Sequence, residues 1–212
     1  MSAPARAFTA RHVQLLRALF AAAAAVMITF SPDHSAAIGL SVFSGFVLTT
    51  SLVMILAVWL VFPAGQRWPW VVLALLGVAA GMAAGVPAWR TEDLFFIVVI
   101  AWALTTGLVE LIVGLRARRA ADPTARDAIT VGAFGLLLAV LLIAIPAGFV
   151  QPYAIKGAGE FELTGIILGV GMFGGYAAII AVFLGIAGLT PKRADAPASA
   201  SETASVEQGG DR

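Results

Sequence analysis

The chain contains no cysteine, which excludes a disulfide framework, a thiolate metal site and thiol catalysis. Two histidines leave little for a metal centre. Charge is scarce as well. Only 12% of residues are Asp, Glu, Lys or Arg, about half of the roughly 25% usual in a soluble domain. The net charge of +1 offers no attraction to nucleic acid or any other polyanion. Against these shortages stand an apolar content of 60%, counted without glycine, and a mean hydropathy of +0.97. A soluble globule of 212 residues could not cover that much apolar side chain with so few charges. A soluble enzyme, a disordered chain and a nucleic-acid binder are therefore excluded.

A helix needs about 20 apolar residues to cross the hydrocarbon core of a bilayer. Five segments meet this: Ala36–Phe62, Trp68–Trp89, Leu94–Leu115, Ala128–Val150 and Leu163–Leu189. Four of them carry no charge, and Leu94–Leu115 carries one, Glu110. The runs are continuous rather than alternating, which disfavours the strands of a barrel. A sixth, shorter run from Val13 to Phe30 becomes long enough if Arg17, one turn inside its end, snorkels to the headgroups. That run also resembles a signal peptide, with a basic start and the small residues Ser35-Ala36-Ala37 as a cleavage site. The expected fold is all-α: six transmembrane helices arranged as three hairpins in a domain spanning 1–190. From 191 to 212 a tail of alanine, serine, proline and charge cannot bury a core and is expected to be disordered.

Lysine and arginine set the orientation. With a cytoplasmic N-terminus and six spans, eleven of the thirteen basic residues fall inside. Only Arg90 and Lys156 fall outside. Both termini are therefore expected in the cytoplasm. The one basic cluster, Arg116–Asp127, reads as an orientation signal, with binding of anionic lipid headgroups as the alternative.

Pairing the helices with their turns outside shows a repeat. The first helix of each pair ends in proline, at Pro32, Pro87 and Pro146, with spacings of 55 and 59 residues. Such regularity suggests three copies of a two-helix unit and favours keeping Val13–Phe30 as a helix. The outer loops are then Ser31–Ser35, Arg90–Asp93 and Gln151–Glu162. Only the last is large enough to hold a binding feature.

Two stretches carry a resemblance. The first is Trp102-Ala103-Leu104-Thr105-Thr106-Gly107-Leu108-Val109-Glu110-Leu111 with the basic end Gly114-Leu115-Arg116-Ala117-Arg118-Arg119. The second is Ala128-Ile129-Thr130-Val131-Gly132-Ala133-Phe134-Gly135-Leu136, running on to Pro146. Over Trp68–Pro146 the chain resembles the HdeD-like family of small bacterial inner-membrane proteins with six helices. The resemblance implies a multi-pass protein of the bacterial inner membrane with a link to acid or envelope stress. It carries over no catalytic residue.

Glu110 is the only ionisable group well inside an expected span. Gly107, Glu110 and Gly114 share one helix face, so Glu110 is expected to face protein rather than lipid. It reads either as a proton-binding carboxylate or as a structural partner of an arginine such as Arg17. Ser41, Ser44 and Ser51 lie on one side of the second helix. They would line a hydrated path or, more simply, bond to backbone carbonyls. Glu110, Ser44 and Ser51 are thus the candidate intramembrane polar site.

Gly77, Gly81 and Gly85 recur every four residues in the third helix, and Gly165–Gly169 and Gly171–Gly175 repeat that spacing in the sixth. With Gly107 and Gly114 they are expected to let helix backbones approach, within the chain or between copies in a homo-oligomer. The outer turns hold Asp33, His34, Glu92, Asp93, Glu160 and Glu162, a largely acidic set of the kind any outer loop carries. No nucleophile–base pair, phosphate loop or metal-ligand cluster is present in the sequence, and no cofactor is expected.

The function expected is that of a non-enzymatic membrane protein with a stress role, its partner the lipid bilayer. The alternative is a small transporter or channel for protons or a small solute, resting on Glu110 and the serines. A membrane enzyme has least support, because one buried acid without a partner base cannot run acid–base chemistry.

Overall fold

Residues 8–122, 125–146, 148–157 and 159–190 are described by the structure, a computed structural model. The tail from 191 to 212 lies outside them. The described residues form six helices: α1 (Ala10–Phe30), α2 (Ala36–Leu60), α3 (Trp68–Gly85), α4 (Glu92–Arg119), α5 (Ala125–Ile143) and α6 (Gly165–Leu189). Each is long and apolar enough to cross a membrane. Their outward side chains, among them Leu52, Leu75, Met82, Ile97 and Val182, are exposed on the protein's own surface. Only lipid can cover them without cost, so the chain is an integral, multi-pass membrane protein.

The helix ends follow from local chemistry. The Leu94 amide donates to the Thr91 hydroxyl at 3.2 Å, capping α4. Arg90, just beyond α3, caps its C-terminus by donating to the carbonyls of Ala84 and Gly85 at 3.4 and 3.3 Å, and Arg67 Nε donates to the Phe62 carbonyl at 2.8 Å within the α2–α3 connection. Helix α3 stops at Gly85, four residues before the expected Trp89, because Pro87 lacks an N–H. Pro87–Trp89 instead form one turn of 3-10 helix. Helix α4 runs on past Leu115 to Arg119, through arginines that favour a helix C-terminus.

The largest departure lies after α5. The span expected to reach Val150 ends at Ile143, and Pro146 and the left-handed Gly148 (φ 74°) then turn the chain. The outer loop expected over Gln151–Glu162 is an antiparallel hairpin of β1 (Val150–Ile155) and β2 (Gly159–Thr164), in register from Val150↔Thr164 to Ile155↔Gly159. One face carries Tyr153 stacked on Phe161 at 5.7 Å; the other carries Glu160 and Glu162. Strand β2 runs directly into α6.

The six helices close into a ring, and neighbours in sequence are neighbours in space, with α6 returning to α1. The tightest seams join α2 to α3, α4 to α5 and α1 to α6. Each seam uses glycine. Along α3, Gly77 meets the Ser51 hydroxyl, and a Cβ on Gly81 would come within 2.6 Å of Leu48. Gly174 and Gly188 of α6 receive Ile28 and Leu15 of α1. The α4–α5 seam is closest, backbone against backbone: a Cβ on Gly132 would lie 2.6 Å from the Leu111 amide and 2.7 Å from the Gly107 carbonyl. Gly114 likewise faces the Ile129 amide. Gly165 and Gly169 pack against Ile145 and the Phe95–Phe96 pair, whereas Gly171 and Gly175 meet nothing within 4 Å. The even-numbered helices turn inward, where Phe43, Phe46, Phe95, Val99, Trp102 and Phe173 form the centre of the core.

Candidate functional site

Because successive spans alternate in direction, α2, α4 and α6 run parallel around the bundle axis. Each offers the axis three side chains at four-residue steps, the spacing of one helix face. From α2 these are Phe46, Thr50 and Met54; from α4, Trp102, Thr106 and Glu110; from α6, Tyr176, Ile180 and Leu184. All nine line one small chamber. The stack has three levels. At the first, Trp102 meets Phe46 edge-on at 5.9 Å and Tyr176 at 6.0 Å. The second holds Thr50, Thr106 and Ile180, and the third Met54, Glu110 and Leu184. The same three-level pattern on three parallel helices agrees with a threefold internal repeat.

Only one level carries charge. Arg17 of α1 donates through Nη2 to Glu110 Oε1 at 2.7 Å, with the two side chains 12% and 10% exposed. Isolated in hydrocarbon either ion would be costly; paired, they neutralise each other. Tyr176 lines the same chamber. The chamber has a volume of about 30 Å³. Two atoms at it lack a hydrogen-bond partner among the described residues: Arg17 Nε and Thr50 Oγ1. The Thr106 hydroxyl instead donates to the Trp102 carbonyl at 2.6 Å.

Beyond the charged level lies a wider vestibule of about 410 Å³. It sits between the start of α1, the α2–α3 connection and the facing ends of α4 and α5. Arg17, Leu73, Glu110 and Leu184 belong to the walls of both spaces, so chamber and vestibule adjoin. In the vestibule Gln14 donates to Asp127 at 2.8 Å, and Trp70 stacks on Phe62 at 4.6 Å.

Of the three residues singled out from the sequence, Glu110 and Ser51 come together at the chamber and Ser44 does not. The Ser44 hydroxyl donates across the α2–α3 seam to the Gly81 carbonyl at 2.8 Å. Ser41 donates back to the Ala37 carbonyl at 2.6 Å. Both bonds are the backbone-satisfying use of a membrane hydroxyl. The sequence reading left Thr50, Thr106 and Tyr176 out of the candidate site, although their spacing from Met54, Glu110 and Leu184 was open to view. No group of three or more potential metal ligands occurs among the described residues. Compared with known proteins, the chain matches no family model, no curated protein and no solved structure.

Proposed function

We propose that the chain is a non-enzymatic protein of the bacterial inner membrane, of the HdeD-like kind, acting in acid or envelope stress with both termini in the cytoplasm. The Arg17–Glu110 pair carries this reading. Glu110, the one carboxylate buried among the described residues, is neutralised by a partner from another helix, and so serves to hold α1 against α4. Among the described residues no group of three or more potential metal ligands gathers around it. The resemblance over Trp68–Pro146 supplies the stress association, and the eleven-to-two distribution of basic residues supports the orientation.

The test is genetic. Cells deprived of the chain should lose survival under acid or envelope challenge, and the wild-type chain should restore it. Unchanged survival in both challenges overturns the proposal. A reporter fused after Thr190 should act as cytoplasmic, and a periplasmic signal there would reverse the orientation.

A second reading, a path for protons or a small solute, draws on the chamber and vestibule. It requires the aromatic level to open. Proton flux through liposomes carrying the purified protein, above that of empty liposomes, would favour it.

A further inference from the structure

We infer that the axial chamber is a water site, and that it hydrates the Arg17–Glu110 pair from one end of the bundle only. The inference stands on geometry and is independent of the stress role. Thr50 is 8% exposed, and its hydroxyl has no partner among the described residues. Arg17, which lines the same chamber, has an Nε without a partner among the described residues either. Buried polar groups are paired almost without exception, with protein or with ordered water. A water needs roughly 10–15 Å³ of free space and two to four polar partners. The chamber's volume of about 30 Å³ meets the first need. The hydroxyl, the guanidinium and the Glu110 carboxylate meet the second. The ligand class is water itself, since nothing larger fits.

Access is one-sided. On the vestibule side the chamber and the wider space share the walls Arg17, Leu73, Glu110 and Leu184. On the other side the contacts of Trp102 with Phe46 and Tyr176 stop the axis, and Phe43 packs behind them at 5.3 Å from Trp102. The result is a hydrated half-channel. It places the only carboxylate buried in the described helices in contact with the solvent of one compartment.

Two measurements on the intact protein in lipid nanodiscs or oriented vesicles test this. The first is pulsed hydroxyl-radical footprinting read by mass spectrometry. It compares Met54 at the chamber with Met82, which is 65% exposed but faces lipid. Met54 should be oxidised several-fold faster than Met82, and Thr50→Val should slow Met54 without slowing vestibule residues such as Trp68. Met54 reacting no faster than Met82 overturns the water site. The second measurement uses the absence of native cysteine. Ser51→Cys, which lines the chamber where it touches Gly77 across the α2–α3 seam, and Ser44→Cys, which lies in that seam away from the chamber, are near-isosteric replacements two turns apart on one helix. Silver ion, a small thiol reagent, should block Ser51→Cys when added on the vestibule side and not from the other. Ser44→Cys should remain free from both. Blocking of Ser51→Cys from the opposite side, or from neither, overturns the one-sided access. Should Ser51→Cys fail to fold, the wild-type footprint still decides the first half.

Discussion

The seam between α4 and α5 and the axis among α2, α4 and α6 are both interiors, yet they are built on opposite rules. At the seam glycine removes side chains until backbones touch; Gly132 lies against Leu111 and Gly107 with no room for a methyl group. At the axis side chains are large, and Phe46, Trp102 and Tyr176 hold the helices apart and leave space behind them. That space contains the ion pair and two unpartnered polar atoms. In a bilayer no hydrophobic force drives one helix to another, so close packing must do it. The seams supply that packing three times around the ring. The axis is thereby released to hold polar groups that a tightly packed core would exclude.

If this division is right, the most damaging change should be made at the axis. Arg17→Ala leaves the Glu110 carboxylate buried without its partner and should cost about 3–5 kcal/mol. The loss would be read from thermal unfolding in detergent or lipid. Replacing both members by leucine should recover most of it, because no charge is then left alone. A double variant as unstable as Arg17→Ala would show that the pair does more than neutralise itself.

Gly132→Ala tests the seam. Its Cβ meets backbone atoms that cannot rotate away, so overpacking should cost about 1–3 kcal/mol. The chamber should be left intact, so the Met54 footprint should not change. Ser44→Ala removes one bond across the α2–α3 seam and should cost only about 0.6 kcal/mol, the average for such bonds between membrane helices. At the bottom of the scale, Gly171→Ala and Gly175→Ala face open space and should leave monomer stability within about 0.5 kcal/mol. A shift in oligomer mass with either change would instead reveal a seam between copies.

How far the sequence could be read follows the same division. Six spans were legible because the bilayer imposes a length and a polarity that a single chain displays directly. The ends of α1, α2 and α6 lie within a few residues of those expected. Hydropathy alone carried the α5 span on to Val150, because Ala144, Ile145 and Val150 are apolar, whereas the proline repeat placed its end at Pro146, nearer to the observed Ile143. The hairpin escaped for a related reason. Its alternation of Glu160, Phe161, Glu162 and Leu163 is only a few residues long and sits beside a far stronger helical signal. Arg17 was nameable as a partner for Glu110, being a charge near the end of another span. The pairing of Gln14 with Asp127 was not, since nothing in sequence links positions so far apart. Thr50 and its neighbours were hidden because a threonine in an apolar helix looks the same whether it bonds to its own backbone or faces a cavity.

Helices α3 and α4 are neighbours, but at 1.5 Å per residue the 18 residues of α3 span roughly 27 Å and the 28 of α4 roughly 42 Å. The hydrocarbon core of a bilayer is about 30 Å thick. The excess of α4 lies largely in its arginine-bearing last turns, which belong among headgroups and not among acyl chains. The shortfall of α3 has no such outlet. It is flanked by Trp68 at one end and, just beyond its own C-terminus, Trp89 at the other, both exposed and both of the residue type that anchors at the membrane interface. Helix α5, with 19 residues, is nearly as short, so the apolar wall that lipid meets is low at two places around the ring and high at α4 between them.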